Sequence, residues 1–151
     1  MTELEIASKA LEHLFNIQNP ILKKMNGYGS LNYRVDSKGE KFVLKIYPTS
    51  EDVHLLHAEN QLFNFLNKKF TDYPNLFPKV FPTTDGKFIS TYQTTNQTFY
   101  IRLLSFLEGS FFAEVPHSNS LLESFGSFLG KMDKALLEFR HPAIDLSLIH
   151  I

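Results

Sequence analysis

Cysteine and tryptophan are both absent from the 151 residues. Without cysteine there is no disulfide framework, no thiolate nucleophile and no cysteine-ligated metal site. Charge of one sign is also lacking, because 15 Lys and Arg face 16 Asp and Glu for a formal net of −1. That balance excludes the one-sided basicity of a nucleic-acid binder and the density of an acidic tail. No apolar run approaches the roughly 18 residues that a membrane-spanning helix needs. The opening Met1-Thr2-Glu3-Leu4-Glu5 is acidic where a secretory signal has a basic start. A cytoplasmic chain with no nucleic-acid and no membrane partner is therefore expected. What the sequence does have is apolar mass: 43% hydrophobic residues, with 15 Phe. At this length that fills one domain core.

Periodicity gives the element order. Thr2 with Glu5 three residues on has the spacing of a capping box. Leu4, Ala7, Leu11, Leu14 and Phe15 follow at helical intervals, and Asn19-Pro20 is read as the stop. Three β-rich runs, 21–25, 31–35 and 41–47, are separated by glycine-containing turns. Thr49, Ser50, Glu51 and Asp52 offer caps for a second helix running to about Lys68. Two more strands are read at 88–92 and 99–106, then a third helix over 121–139. The fold class is α+β, an antiparallel sheet of about five strands with a packed helix.

Two charges interrupt apolar faces. Glu59 falls in the middle of the stripe formed by Leu55, Leu56, Leu62, Phe63 and Leu66 on the second helix. Lys45 lies inside Phe42-Val43-Leu44-Lys45-Ile46-Tyr47, a strand apolar on both faces. A carboxylate facing a core costs several kcal/mol unless it is paired. A strand and the helix that follows it usually pack together. Lys45 and Glu59 are therefore expected to pair; the alternative is Glu59 at the stripe's edge and Lys45 reaching water. Between the first two strands, Gly27, Tyr28, Gly29 and Ser30 form a loop that could admit a phosphate close to the backbone, or could be an ordinary hairpin turn. His54 and His57 read as a solvated helix face, and the Phe-rich third helix as core.

These features resemble the small-molecule kinases of the aminoglycoside/choline phosphotransferase family, with its protein-kinase-like fold. The stretch from Asn26 to Val35 is similar to the family's loop and second strand, Phe42 to Ile46 to its lysine strand, and His57-Ala58-Glu59 to its helix glutamate. Arg102-Leu103-Leu104-Ser105-Phe106-Leu107-Glu108-Gly109 resembles the hinge, and Phe125 to Pro142 the first helix of the C-lobe. Met132-Asp133-Lys134-Ala135-Leu136 before Phe139-Arg140-His141-Pro142 is most similar to the hydroxylysine-kinase branch, which includes domains fused to class III aminotransferases. The resemblance implies ATP as cofactor. Lys45 would hold the α- and β-phosphates, Glu59 would orient Lys45, and Gly27, Tyr28, Gly29 and Ser30 would cover the nucleotide. The backbone at Ser105, Phe106 and Leu107 would meet adenine. Gly126 and Gly130 read as close helix packing.

The family's His-Gly-Asp-x-x-x-x-Asn loop and later metal-binding Asp have no match here. No catalytic base and no metal ligand is assigned, and Mg²⁺ is expected only in the intact enzyme. The expectation is an N-terminal fragment of an ATP-dependent kinase acting on a small-molecule hydroxyl, inactive by itself. Residues 1–109 would be N-lobe and hinge, and residues 110–144 the start of a helical C-lobe. Residues 145–151 would be a non-native tail, because 146–151 reads like translated sequencing adapter. The alternative is a non-catalytic kinase-like module that binds nucleotide or a protein partner.

Overall fold

The computed structural model describes residues 1–144, so the tail proposed at 145–151 lies outside the described residues. Helix α1 spans Glu3–Phe15, and its capping box is complete: the Thr2 side chain accepts from the Glu5 N–H, and the Glu5 carboxylate accepts from the Thr2 N–H. The helix stops earlier than the proline rule suggests. Asn16 takes the left-handed conformation at φ 55° and its N–H closes back on Glu12 and Leu11, a stop that asparagine tolerates.

Strands β1 (Ile21–Met25), β2 (Leu31–Ser37) and β3 (Glu40–Pro48) form an antiparallel meander. Helix α2 (Val53–Lys69) starts at Asp52, whose carboxylate accepts from the His54 N–H at 2.9 Å. Strands β4 (Val80–Phe81), β5 (Ser90–Gln93) and β6 (Thr98–Ser105) complete the sheet, and α3 covers Asn119–Leu136. The sheet is six-stranded, one more than expected, in the order β1-β2-β3-β6-β4 with β5 also paired to β6. The extra strand is β4, two residues between prolines 78 and 82, too short to show a period in sequence.

Strand alternation assigns the two faces. On one, Val35, Phe42, Leu44, Ile46, Ile101 and Leu103 pack against Ile6, Ala7, Ala10 and Leu11 of α1. Leu11, Leu44, Val35 and Ile101 are wholly buried, each stabilising the fold by about 1.5–3 kcal/mol through burial. The principal core therefore lies under α1. The other face carries Asn32, Val43, Lys45, Tyr47, Arg102 and Leu104, with α2 beside it. Helix α3 sits apart, on a second cluster of Leu66, Phe70, Phe77 and Ala135. Phe128, Met132 and Leu136 are partly buried there, while Leu122, Phe125 and Leu129 remain exposed. Close packing at Gly126 and Gly130 is not observed, since a Cβ at either would meet nothing within 4 Å.

Candidate functional site

The polar sheet face draws its groups from four elements. Register pairs set Asn32 beside Lys45 and Lys45 beside Arg102, so one row crosses β2, β3 and β6 on a single face. Helix α2 brings Leu56, Glu59 and Asn60 over the Arg102 end of this row.

The expected Lys45–Glu59 pair is not formed. Glu59 pairs with Arg102 instead, through Oε2 and Nη2. Arg102 has no exposed surface. Its guanidinium also donates to the Asn60 Oδ1 at 2.7 Å, to the Leu56 carbonyl at 3.3 Å and to the Tyr47 hydroxyl. A buried arginine needs such a set of acceptors, because a guanidinium stripped of water and left unpaired costs several kcal/mol. Its planar fork can serve several acceptors at once, which a lysine cannot match, so Arg102 outcompetes Lys45 for the carboxylate. Nor is Glu59 buried: 41% of its side chain is exposed, at the edge of the α2 stripe. Leu55 is exposed as well, so the apolar face of α2 is narrower than its sequence suggests.

Lys45 is thus half-buried and makes no ion pair among the described residues. Its ammonium lies 5.5 Å from the centre of the Tyr47 ring. Burial lowers its pKa below the ordinary lysine value; the Glu59 charge opposes this and Arg102 adds to it. Burial also pushes the Tyr47 hydroxyl up to about 12.

The glycine loop connects β1 to β2. Gly27 is required sterically, since a Cβ there would sit 1.8 Å from the Asn32 Nδ2 and 2.9 Å from the Ser30 carbonyl. Asn32 is itself fixed, accepting from the Ser30 hydroxyl at 3.1 Å and donating to the Asn26 carbonyl at 3.4 Å. Gly29 holds φ at 70°, and a Cβ there would lie 3.2 Å from the Glu51 carboxylate. Tyr28 at the tip is fully exposed.

At the far edge of the face, β6 runs into the 105–107 segment. Ser105 is committed to β4: its N–H donates to the Lys79 carbonyl at 2.8 Å and its hydroxyl accepts from the Lys79 N–H at 2.9 Å. The Phe106 N–H donates to the Lys41 carbonyl at 3.2 Å, and its ring stacks under the Arg34 guanidinium at 5.1 Å. Leu107 follows, partly exposed, with no hydrogen-bond partner for its N–H among the described residues. No group of three His, Cys, Asp or Glu among the described residues could hold a metal ion, and His54 and His57 are both exposed on α2.

The loop, Lys45 and the 105–107 segment thus border one sheet face. Sequence reasoning missed Arg102, Tyr47, Asn60 and Asn32 as members of the site. For Arg102 the signal was available: it is a cation inside the apolar run Tyr100-Ile101-Arg102-Leu103-Leu104, the same anomaly that singled out Lys45.

The chain as a whole is similar to known kinases. The chain is 26% identical to a hydroxylysine kinase of Danio rerio over 87% of its own length and 38% of the relative's. It is 29% identical to that of Mus musculus, over 93% of this chain and 40% of the relative. It therefore spans about two-fifths of these curated relatives. Among solved structures, a microcompartment-associated aminopropanol kinase superposes with a TM-score of 0.71 at 19% identity, covering 93% of this chain and 43% of that one. An amicoumacin kinase in complex with AMP-PNP, Ca²⁺ and Ami gives a TM-score of 0.76 at 15% identity, covering 93% and 42%. These likenesses establish the kinase-like fold. The model of the phosphotransferase enzyme family matches residues 24–147, and the chain belongs to that family.

Proposed function

We propose that the chain is the nucleotide-binding portion of an ATP-dependent kinase that phosphorylates a hydroxyl of a small molecule. The observation that carries this reading is Lys45: a half-buried ammonium with no ion-pair partner among the described residues, on the face bordered by the glycine loop and the 105–107 segment. A half-buried cation that makes no ion pair among the described residues is a natural place for an anion, and phosphate is the anion the family handles. Lys45 would hold the α- and β-phosphates. The backbone of Gly27, Tyr28, Gly29 and Ser30 would cover them, and the Leu107 N–H would serve as the donor toward adenine. When bound, ATP supplies the phosphoryl group.

The described residues do not fit a Mg²⁺ site, because no three carboxylate or imidazole groups among them converge. The base that accepts the acceptor's proton, the metal ligands and the acceptor pocket are proposed to belong to the remaining length that the relatives have and this chain does not span. Cytoplasmic location is part of the same proposal; no helix among the described residues is long and apolar enough to cross a membrane.

The test is binding of AMP-PNP to the 151-residue chain by calorimetry or ligand-observed NMR. Weak binding that Lys45→Met abolishes supports the reading. Binding that survives the substitution puts the site elsewhere. ATP-dependent phosphorylation of a small alcohol by this chain would overturn the assignment of the catalytic groups to a further segment.

A further inference from the structure

Between helix α2 and strand β4 lies a cavity of about 580 Å³ that the proposed function does not use. Small-molecule sites typically span roughly 300–1,000 Å³. One wall is the outward side of α2, where His57, Gln61 and Asn64 follow at helical spacing. All three are exposed, and none of their side chains makes a hydrogen bond among the described residues. The other wall is the free edge of the sheet, since β4 is its outer strand. The Lys79 carbonyl accepts from the Ser105 N–H, and Val80 faces Leu104 in the register. Val80 therefore turns its own N–H and C=O away from β6, onto the outer edge. Lys79 adds an ammonium with no ion pair among the described residues, and Phe88 a ring that is 51% exposed. Asn67 ties the walls together at one end, donating from Nδ2 to the Phe63 carbonyl at 2.8 Å and to the Pro78 carbonyl at 3.0 Å. A tied end and an edge strand of two residues argue against a through-running peptide and for a small molecule.

We propose that this cavity binds a small planar heteroaromatic lactam carrying an acidic substituent. The class follows from the lining. Val80 offers a donor and an acceptor side by side, the complement of the adjacent C=O and N–H of a lactam. The amides of Gln61 and Asn64 both donate and accept, so they suit neutral ring substituents of either kind. Phe88 supplies an apolar face against which the ring lies, and Lys79 the countercharge for the acid. The proposal is independent of the phosphate reading, because it uses neither Lys45 nor the glycine loop nor the 105–107 segment.

Orotate, a lactam with a carboxylate, is the probe, titrated into the 151-residue chain and followed by two-dimensional amide NMR. Saturable shifts at Gln61, Asn64 and Val80 are expected, with a Kd below about 1 mM. Uracil, which lacks the acid, and benzoate, which lacks the lactam, should each bind about fivefold more weakly or worse. Gln61→Ala with Asn64→Ala puts good helix formers at exposed positions and should weaken orotate by about fivefold or more. Val80→Pro removes an N–H that β6 does not use, so strand pairing survives while affinity falls by about the same factor. Lys79→Met should make orotate and uracil bind alike. Circular dichroism confirms that each variant is folded, and the paired α2 substitutions keep the test open if Val80→Pro is not. Absence of saturable shifts at these residues, or shifts that the folded variants leave unchanged, overturns the assignment. Benzoate binding as tightly as orotate overturns it too, since the lactam would then contribute nothing.

Discussion

Lys45 and Arg102 are neighbours in register on β3 and β6, yet only Arg102 holds a carboxylate. The consequence for stability is asymmetric. Removing Arg102 strips acceptors at Tyr47, Asn60 and Leu56 of their donor and leaves a cavity beneath α2. Removing the charge of the half-exposed Glu59 leaves Arg102 with three acceptors. Arg102→Met is therefore expected to cost about 2–4 kcal/mol, and Glu59→Gln about 1 kcal/mol or less. Urea unfolding followed by circular dichroism measures both. Equal costs would show that Glu59 is the principal partner of the guanidinium.

The loop makes a second prediction. Gly27→Ala places a Cβ against the Asn32 side chain, which is pinned by Ser30 and Asn26, and against the Ser30 carbonyl. The loop must shift, and AMP-PNP affinity should fall at least tenfold, on the order of 1.4 kcal/mol. Gly29→Ala meets only the end of the Glu51 side chain, which can give way, but must hold φ at 70°, a cost of about 1 kcal/mol in stability. Thermal melts and AMP-PNP titrations separate the two. Unchanged affinity in Gly27→Ala would remove the loop from the site.

Beside that loop stands Glu51, close enough that its carboxylate would touch a Cβ at Gly29. A negative charge there opposes a polyphosphate covered by the same loop. Glu51→Gln should tighten AMP-PNP about twofold to fivefold, on the order of 0.5–1 kcal/mol, with the gain shrinking as salt is raised. Weaker binding would mean that Glu51 positions the loop rather than repelling the ligand.

How much of this was legible beforehand depends on the range of the signal. The capping box of α1, the β1–β3 meander and the approximate span of α2 follow from local spacing, and all are present. Strand β4 exists only because Lys79 bonds Ser105 and Val80 faces Leu104, contacts with no local signature. The partner of Glu59 was misread for a related reason. Lys45 is the nearer cation in sequence, whereas which of two cations faces a carboxylate is decided by the pairing of β3 with β6. Likewise, the stripe on α2 predicts what could be buried, and only the placement of α1 under the sheet shows that the main core lies on the opposite face.

Alkaline pH should expose Tyr47. Its folded pKa of about 12 lies above the ordinary 10.0, so between those values the folded chain retains a proton that the unfolded chain has lost. Stability from this group is present below pH 10 and falls as pH rises, by about 2 kcal/mol across the window. Lys45 acts oppositely: its lowered pKa lets the folded chain shed a proton first, so stability rises through the window just below the ordinary 10.5. Urea midpoints should therefore hold or rise slightly toward pH 10 and then drop. Tyr47→Phe should start lower at pH 7, having lost the acceptor for Arg102, but show a shallower alkaline drop. An identical drop in the variant would assign it to other groups.

The last prediction concerns the exposed side of α3. Leu122, Phe125 and Leu129 are 46%, 39% and 37% exposed, spaced three and four residues apart, so they form one stripe. The helix is held through Phe128, Met132, Ala135 and Leu136, which lie on the flank adjoining this stripe. A stripe of this kind, on a helix whose glycines meet no neighbour, is the sort of surface that a further packing partner would cover. Leu122→Lys with Leu129→Glu should therefore leave the urea midpoint of the 151-residue chain nearly unchanged, within about 0.5 kcal/mol, while lowering hydrophobic-dye binding and aggregation. Leu11→Ala, in the core under α1, should by contrast cost about 2–5 kcal/mol. In a longer protein carrying the remaining length, the same α3 pair would be expected to destabilise, because a buried stripe does not accept charges. If the pair destabilises the 151-residue chain as strongly as Leu11→Ala does, that stripe is already covered here, and α3 needs nothing further to complete it.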